Sequence, residues 1–369
     1  MKLPPDTVAT RLGRVREQMR VLGIDAFVVT HLPNLQYLTG FSGSAGAAVV
    51  VPRASRLVVD FRYVTAASDL VAELDGLVTL ATFERSYDEA IVDVVRLEDS
   101  SRIGIEAAYL SVARFNAISG ALAVGATGPN ATALVPTERL VERARMVKDP
   151  GEIQTLREAG RRLGRIAAVA ADFVKPGRTE REVAGDLEFA MRQAGFSRPA
   201  FETIVASGPN SALPHARPTD RPIEIGEPTV LDFGGVYDGY CVDLTRTVQL
   251  GAVSPSQDRL YAAVREAQQA AIAAVRPGIP ASVVDAAARA VLERHGLGDA
   301  FGHGTGHGLG LEVHEEPRIA RAWPRVPDEV LEPGMVFTIE PGAYVPGVGG
   351  VRIEDDVLVT GDGCEVLTR

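Results

Sequence analysis

An internal repeat limits the folds open to this chain more than any other feature of its sequence. Residues 173–195 (FVKPGRTEREVAGDLEFAMRQAG) and 274–296 (AVRPGIPASVVDAAARAVLERHG) align at a constant offset of 101 positions. The matched residues are Val174/Val275, Pro176/Pro277, Gly177/Gly278, Val183/Val284 and Gly195/Gly296. Because Pro-Gly marks a turn and glycine commonly ends a helix, each copy predicts helix, turn, helix and stop. Two such units face to face predict a pseudo-symmetric α+β domain with a cleft between its halves.

The N-terminal part of the chain has a different pattern. Apolar residues of DTVATRLGRVREQMRVLG recur at helical spacing, at Val8, Leu12, Val15, Met19 and Leu22. Short β-branched runs such as DAFVVT, AGAAVVV and RIGIEA alternate with helical segments, which predicts an α/β domain over residues 1–140. The Gly-rich GFSGSAG lacks the ending of a phosphate-binding loop and predicts a turn. Asp149-Pro150 precedes a new helix, so the repeat-containing domain is expected to span residues 150–369.

The composition excludes several classes of protein. The chain of 369 residues is 46% hydrophobic and 23% charged, which is typical of a soluble protein with two domains. There is no signal-like apolar segment at the N-terminus and no run near the roughly 18 apolar residues of a membrane span. Cys241 and Cys364 are the only cysteines, which fits a cytoplasmic location. Residues 146–369 hold 32 of the 48 acidic but only 23 of the 38 basic residues, which argues against a nucleic-acid partner.

Acidic residues interrupt strands that are otherwise typical of a buried sheet. They lie at corresponding places in two strand pairs, TVLDFGG with GYCVDLTRTVQLG and MVFTIEPG with GGVRIEDDVLVTG, and are Asp232, Asp243, Glu340 and Glu354. A buried carboxylate without a partner is very costly, so it must be neutralised by a cation or ligate a metal. Any single one of these acids is explained as well by partial exposure to solvent, or by an ion pair with Arg246 or Arg352. Four at matched positions favour a metal site.

The segment HGTGHGLGLEVHEEP, residues 303–317, contains three of the six histidines of the chain. It does not match the zinc-protease pattern H-E-x-x-H, because Gly304 stands where the glutamate should be. Its glycines disfavour a helix, each by about 0.8–1.0 kcal/mol relative to alanine. The segment therefore predicts a strand or turn lined with glycine, whose backbone comes close to a crowded metal cleft. One of its histidines is expected to be a metal ligand, which leaves the others for substrate.

The predicted ligands indicate the kind of metal site. Four carboxylates and one imidazole are too rich in oxygen for a tetrahedral structural zinc site. Two ions about 3.5–4 Å apart, held by bridging carboxylates, would account for the number of ligands. Such a site suits Mn²⁺ best, with Co²⁺, Fe²⁺ or Zn²⁺ as alternatives.

The motifs LDFGGVYDGYCVDLTRT, HGTGHGLGLEVHEEP, EPGMVFTIEPGAY and GVRIEDDVLVT resemble those of the pita-bread metallopeptidases. These include prolidase (Xaa-Pro dipeptidase), aminopeptidase P and, more distantly, methionine aminopeptidase, which usually lacks an N-terminal domain of this kind. The resemblance covers residues 150–369, while YLTGFSGSAGAAVVV and VDFRY resemble the creatinase/prolidase-type N-terminal domain. It implies a pita-bread catalytic domain after an N-terminal α/β domain, assembled as a homodimer.

The resemblance also implies residue roles. The metal ligands are then Asp232, Asp243, His307, Glu340 and Glu354, with Asp243 and Glu354 bridging. His314 would donate a hydrogen bond to the oxyanion, and His215 and His303 would orient the substrate. The alternative for each of the three is to hold a ligand carboxylate by a hydrogen bond. Glu340 would also pass a proton to the leaving nitrogen, and Arg352 would orient ligand carboxylates. His31 and His295 have no such context.

The implied activity is hydrolysis of the Xaa-Pro bond at the N-terminus of a peptide. A dipeptidase needs a cation for the carboxylate that follows proline, and arginine grips a carboxylate with two bonds. The arginines that flank two of the histidines are Arg217, Arg221, Arg318, Arg321 and Arg325, and they favour prolidase over aminopeptidase P. A metal-free creatinase-like amidinohydrolase and a non-catalytic binding protein are alternatives on the same fold. The complete set of ligands argues against both.

Overall fold

The computed structural model describes residues 3–124, 132–252 and 254–369. The chain divides into two compact units, Met1–Arg145 and Met146–Arg369. The first long helix of the second unit begins at Pro150, where the Asp149 side chain accepts a hydrogen bond from the backbone of Glu152 and the Glu152 side chain accepts one in return. No helix in the described part of the chain combines the length and apolar character needed to cross a membrane.

The N-terminal unit is a sheet with helices between its strands. Its elements are α1 (Pro5–Leu22), β1 (Ala26–Val29), α2 (Leu32–Thr39), β2 (Ala47–Val50), β3 (Ser55–Val59), α3 (Val64–Ala72), β4 (Val78–Thr82), α4 (Tyr87–Leu97), β5 (Arg102–Glu106), α5 (Val112–Ala123), β6 (Ala133–Thr137) and α6 (Leu140–Met146). Within the described residues the strand order is β4-β3-β2-β1-β5-β6, with parallel and antiparallel pairs. The segment GFSGSAG lies between α2 and β2, as the predicted turn requires.

Helix α1 follows its predicted apolar pattern up to its last residue. Val8, Leu12, Val15 and Met19 are buried. Leu22, which belongs to the same pattern, is 47% exposed. The helix ends there because the next residue, a glycine, adopts a left-handed conformation and directs the chain away.

The C-terminal unit consists of two successive sets of helices and strands. The first set is α7 (Pro150–Val169), α8 (Glu180–Gln193), β7 (Arg198–Pro199), β8 (Ile204–Ser207), β9 (Pro228–Tyr237) and β10 (Tyr240–Gln249). The second set is α9 (Pro255–Ala274), α10 (Ala281–Arg294), β11 (Gly306–Gly308), β12 (Glu315–Ile319), β13 (Val336–Ile339), β14 (Gly342–Val345), β15 (Gly349–Arg352), β16 (Asp355–Val359) and β17 (Cys364–Val366). One sheet has the order β10-β9-β7, with β8 also paired to β9, and another has the order β12-β11-β13-β16-β17.

The sequence repeat has the same conformation in both sets. Gly177 and Gly278 follow the repeated proline and have φ values of 82° and 85°, in the region that favours glycine. The backbone N–H of Gly177 donates to Ile223 O at 2.9 Å, and that of Gly278 donates to Leu331 O at 2.8 Å. Each turn is thus tied to a later segment of its own set, as expected for two copies of one structural unit.

The second strand pair differs from the prediction, because a segment expected to be one strand forms two. β9 and β10 form a continuous antiparallel hairpin, whereas GGVRIEDDVLVTG is divided into β15 and β16. The break lies where the backbone changes partner, since Ile353 N donates to Pro341 O and Glu354 N donates to Thr245 O of β10 at 3.1 Å. The change of partner brings Glu354 against the strand that carries Asp243.

Candidate active site

A cavity of about 560 Å³ opens in the C-terminal unit. Every site residue inferred from the sequence lines it, namely Asp232, Asp243, His307, Glu340, Glu354, His215, His303, His314 and Arg352. Phe201, Ile204, Pro214 and Val313 contribute apolar surface. Ligand pockets of about 300–1,000 Å³ with a few convergent polar groups are typical of small-molecule sites, so the cavity suits a small substrate.

The β9–β10 hairpin places two of the acids. Asp243 pairs with Gly234, and Thr245, two residues further on and on the same face, pairs with Asp232. The Thr245 hydroxyl donates to Glu354 Oε2 at 2.5 Å. A side chain at Gly234 would lie 2.6 Å from the Phe201 ring and 2.4 Å from a backbone oxygen, so only glycine fits opposite Asp243. The hairpin therefore gathers acids that are distant in sequence.

The glycines around His307 make room for the neighbouring strands. β11 lies between β12 and β13. A Cβ atom on Gly306 would lie 1.9 Å from Thr338 O, and one on Gly308 would lie 2.2 Å from Glu316 O. The glycines at these two positions thus admit the backbone of adjacent strands, whereas the sequence suggested an approach to a metal cleft. The close packing fixes His307 between two strands.

Asp243, His307 and Glu354 form a group of potential metal ligands, with one ligand atom from each within 4.8 Å of the others. The Nδ1 atom of His307 lies 3.1 Å from Gly308 O. Since a carbonyl oxygen only accepts, Nδ1 carries the proton and Nε2 of the neutral ring carries a lone pair. Nε2 lies 3.4 Å from Glu340 Oε1 and 3.9 Å from Asp243 Oδ2. A lone pair facing carboxylate oxygens is an arrangement for sharing a cation.

Asp232 and Glu340 lie beside this group. Arg352 Nη2 donates to Asp232 Oδ2, so the ion pair considered from the sequence does form for this one acid. Arg246 instead pairs with Asp355, whose Oδ1 atom is 2.8 Å from Nη2. Glu340 accepts a hydrogen bond of 3.3 Å from the Thr338 hydroxyl.

The residues present fit divalent metal ions. Asp232 Oδ1, Asp243 Oδ1 and Glu354 Oε1 are buried and have no hydrogen-bond partner among the described residues. Burial and the neighbouring carboxylates raise the pKa values of Asp243 and Glu354 well above the usual range. Burial also raises the pKa of Glu340 to about 7. Oxygens that are costly to ionise without a partner become good ligands once a cation neutralises them.

His303 belongs to a chain of hydrogen bonds. Its Nδ1 atom lies 2.8 Å from Gly304 O and therefore donates, while Nε2 lies 3.0 Å from the Tyr344 hydroxyl. Burial lowers the pKa of His303 to about 4, so the ring is neutral and Nε2 accepts from Tyr344. Arg352 Nη1 donates to the same hydroxyl at 2.8 Å. Both ring nitrogens of His303 are therefore already engaged within the protein.

The other two histidines point to the cavity. The ring centroids of His314 and His307 are 4.2 Å apart, and the His314 side chain is exposed. Partial burial and the His307 and His215 imidazoles lower the pKa of His314. His215 is exposed as well and follows Pro214, whose carbonyl accepts from Arg352 at 3.1 Å.

Sequence reasoning missed two buried acids that hold the site. The Asp356 side chain accepts from the backbone N–H of Asp243 at 3.0 Å. Asp285 accepts from the backbone and hydroxyl of Thr305 at 3.1 and 2.8 Å, and Thr305 O accepts from Glu340 N at 2.7 Å. Asp356 adjoins Glu354 in a strand otherwise typical of a core, and that is a signal the sequence already contained.

Only two of the five arginines line the cavity. They are Arg217 and Arg318, among the residues described. Arg318 pairs with His307 across β11 and β12. Arg217 is 82% exposed and forms an ion pair with Glu202 at 3.2 Å. Arg221 is instead held by the Glu227 carboxylate at 2.5 Å.

The raised pKa of Glu340 predicts how the stability of metal-free protein depends on pH. A carboxyl whose pKa is higher in the folded than in the unfolded state stabilises the fold while protonated, and the contribution is lost as pH rises through the folded-state pKa. With Glu340 at about 7, we expect the melting temperature of chelated protein to fall between about pH 6.5 and about pH 8. The lowered pKa of His303 acts in the opposite sense and fades above about pH 6.5, the ordinary pKa of histidine, so the raised pKa values of Glu340, Asp243 and Glu354 dominate above it.

Calorimetry of chelated and Mn²⁺-loaded protein across this window tests the prediction. The metal-loaded sample serves as control, since bound cations keep the carboxylates ionised at both ends. A chelated protein with the same melting temperature at both ends of the window would contradict the assigned burial of Glu340.

Comparisons with known proteins show to which family the chain belongs. Residues 154–361 match the model of metallopeptidase family M24, and residues 11–147 match the creatinase/prolidase N-terminal domain. The chain is 34% identical to an Xaa-Pro dipeptidase of Pyrococcus horikoshii, over 99% of this chain and 98% of that one.

Solved structures show the same similarity. An Xaa-Pro dipeptidase from Bacillus anthracis superposes with a TM-score of 0.91 at 36% identity, covering 98% of both chains. An X-Pro aminopeptidase from Thermotoga maritima has a TM-score of 0.83 at 35% identity, covering 96% of this chain and 97% of that one. The predicted fold class, a pita-bread domain after a creatinase/prolidase-type domain, and the predicted metallopeptidase activity are confirmed. The chain belongs to metallopeptidase family M24.

Proposed function

We propose that this protein is a dinuclear-metal peptidase that hydrolyses the Xaa-Pro bond of dipeptides. The observation that carries the proposal is a set of buried carboxylate oxygens without hydrogen-bond partners, on Asp232, Asp243 and Glu354, in a cavity of about 560 Å³. Asp243 and Glu354 each place a carboxylate oxygen within 4.8 Å of a His307 ring nitrogen. The relatives described as Xaa-Pro dipeptidases, 34% identical over nearly the whole chain, support the substrate.

The ligands proposed for the two ions are Asp232, Asp243, His307, Glu340 and Glu354. Asp243 and Glu354 are proposed as the carboxylates shared by the two ions, since each has an unpartnered buried oxygen and each places a ligand atom within 4.8 Å of the other and of His307. Oxygen-rich ligands with one imidazole favour Mn²⁺ over a softer ion. Bound ions would supply Lewis acidity and make a water nucleophilic near neutral pH.

The protein's own groups would position the peptide and move the proton. His314 would donate to the oxygen of the substrate carbonyl as negative charge develops there, and His215 would orient the same carbonyl. Glu340, whose carboxylate lines the cavity, would pass a proton to the proline nitrogen. Proline has no N–H, so the cleft holds its ring by apolar contact, for which Phe201 is available.

For His303 we propose a supporting role in place of substrate contact. Its two ring nitrogens bond Gly304 O and the Tyr344 hydroxyl, which in turn accepts from Arg352. The chain of bonds ends at Asp232, to which Arg352 donates. His303 would thus help Arg352 to orient a ligand carboxylate.

Arg318 is the proposed anchor for the free carboxylate of a dipeptide. It lies opposite His307 in the β11–β12 ladder and lines the cavity. Arg217 also lines the cavity but is paired with Glu202. Since Arg221 is bonded to Glu227, the dipeptidase proposal rests on Arg318 first.

We therefore expect Arg318→Ala to lower kcat/KM for Ala-Pro while affecting Ala-Pro-Ala much less. Loss of a hydrogen bond to a charged group costs about 1.5–3 kcal/mol, which corresponds to about 10–150-fold. Arg321→Ala is the matched control, because Arg321 belongs to the same segment and does not line the cavity. Steady-state kinetics on both peptides measure the effect.

Aminopeptidase P is the second candidate function, supported by the similarity to an X-Pro aminopeptidase structure. A higher kcat/KM of the wild type on Ala-Pro-Ala than on Ala-Pro would favour it and would contradict the dipeptidase proposal. The homodimer and the cytoplasmic location expected from the sequence remain predictions.

A further inference from the structure

His215 is carried by a loop that connects strand β8 to the segment before β9. We call residues 208–219 the His215 loop. It starts with the short 3-10 helix Gly208–Ala212, and the His215 side chain is exposed where it lines the cavity. The position of His215 therefore depends on what holds this loop.

A single buried carboxylate holds the loop at both ends. Glu180, at the start of helix α8, is fully buried. It accepts from the backbone and hydroxyl of Ser207 at 2.7 and 2.9 Å, before the loop, and from the backbone and hydroxyl of Thr219 at 3.0 and 2.7 Å, at its end. It also accepts from the Asn210 amide at 3.0 Å. An ionised carboxylate only accepts, so every donor is supplied by the segment it fixes.

The inner edge of the loop is held by strand β15. The backbone N–H of Gly350 donates to the Ser211 hydroxyl at 2.8 Å. Arg352 donates to Pro214 O at 3.1 Å, directly before His215. Because a Cβ atom on Gly350 would lie 1.9 Å from Ser211 O, the loop lies against β15 without space to shift inward. Together with the backbone N–H of Arg181, which donates to Thr219 O at 3.1 Å, Glu180 thus supplies the outer attachment of a loop whose inner side is already fixed.

We propose that Glu180 is a positioning residue that fixes the His215 loop, and through it His215, in the geometry used for hydrolysis. Glu180 does not line the cavity, so it acts through the loop and not on the substrate. The kinetic part of this inference rests on the proposed function. The structural part, that Glu180 orders residues 208–219, does not.

The first test compares Glu180→Gln, His215→Ala and the double variant. Glutamine keeps the size of the side chain but replaces one carboxylate oxygen by an NH₂ group. That group cannot accept the hydrogen bonds donated by Ser207 or Thr219. We expect kcat for Ala-Pro to fall about 100-fold, since a misplacement of about 1 Å can cost that much, with metal content unchanged. In the His215→Ala background the same substitution is expected to have little further effect. Glu188→Gln, an exposed acid on the same helix, is the control.

The second test needs no substrate. Hydrogen exchange of the amides of residues 208–219 is expected to be faster in Glu180→Gln than in wild type or Glu188→Gln. Faster exchange supports the structural part even if the wild type hydrolyses no Xaa-Pro peptide, a result that would overturn the proposed function alone. Unchanged exchange would overturn the inference. The inference would also be overturned if kcat in the double variant fell by the product of the two factors measured for Glu180→Gln and His215→Ala alone.

A variant on the loop side covers the case in which Glu180→Gln does not fold. Thr219→Ala removes one donor and leaves the buried carboxylate in place. It is expected to speed exchange in the His215 loop and to lower kcat in the same direction by a smaller factor. Wild-type exchange and wild-type kcat in Thr219→Ala would contradict the proposal.

Discussion

Asp243→Asn is expected to lose bound metal and peptidase activity together, and yet to melt at a higher temperature than wild type when both are metal-free. Mutation of a residue that only orients a metal ligand typically lowers the affinity for the metal about 10–100-fold. Loss of a ligand that both ions share should therefore lower the affinity further. The gain in stability follows from burial and the Glu354 and Asp232 charges, which raise the pKa of Asp243 well above its usual range. In wild type the carboxyl must either stay ionised beside these charges or take up a proton when the protein folds, and a neutral amide avoids both costs.

Metal analysis after dialysis, Ala-Pro hydrolysis and calorimetry of the chelated proteins measure the three effects. Glu354→Gln should behave in the same way, because burial and neighbouring acids raise its pKa as well. Asp362→Asn, at an exposed acid in the same unit, should match wild type in all three. Near-normal metal content and turnover in Asp243→Asn would show that Asp243 is not a bridging ligand.

His314→Ala is expected to keep its metal and lose most of kcat. Removal of one donor to a developing oxyanion costs about 10²–10³ in kcat in comparable sites. The His314 ring is exposed in the cavity 4.2 Å from the His307 ring, and its lowered pKa keeps it neutral with one N–H to donate.

Separate values of kcat and KM decide whether His314 stabilises the transition state or only binds the substrate. His295→Ala is the matched control, since His295 is exposed at the end of helix α10 and bonds Glu266 at 2.8 Å. It should leave both constants unchanged. An unchanged kcat with a raised KM in His314→Ala would make this residue a substrate binder that does not act in the transition state.

The halves of the C-terminal unit could be predicted because their signals are local. Pro-Gly followed by a helical pattern and a glycine depends on backbone conformation alone, and Gly177 and Gly278 adopt nearly the same φ. The division between β15 and β16 could not be predicted. It arises because the backbone of Glu354 bonds to Thr245, which is more than 100 residues earlier. No local pattern encodes such a change of partner.

The residues of the site could be predicted from the sequence, but the ion pairs and hydrogen bonds that they form could not. A carboxylate in an apolar strand stands out in the sequence, and Asp232, Asp243 and Glu354 all line the cavity. Which arginine reaches which acid depends on side-chain reach in the folded chain. Arg352 donates to Asp232 and Arg246 to Asp355, although both arginines are close in sequence to several acids.

The supporting acids were hidden for a related reason. Glu180 and Asp285 lie in amphipathic helices, where a single acid is typical of a solvated face. Only the fold shows that both are buried against loops that carry histidines. Their positions became informative once the loops were placed.

Metal ions held by this cleft are proposed to enable hydrolysis of Xaa-Pro peptides. A titration of chelated protein with Mn²⁺ tests this, with bound metal and hydrolysis of Ala-Pro and of proline-free Ala-Ala followed in the same samples. We predict that two ions bind per chain and that Ala-Pro hydrolysis appears with them, while Ala-Ala is cleaved far more slowly. Hydrolysis of Ala-Pro at full rate in excess chelator, or metal-loaded protein that does not cleave it, would contradict the account.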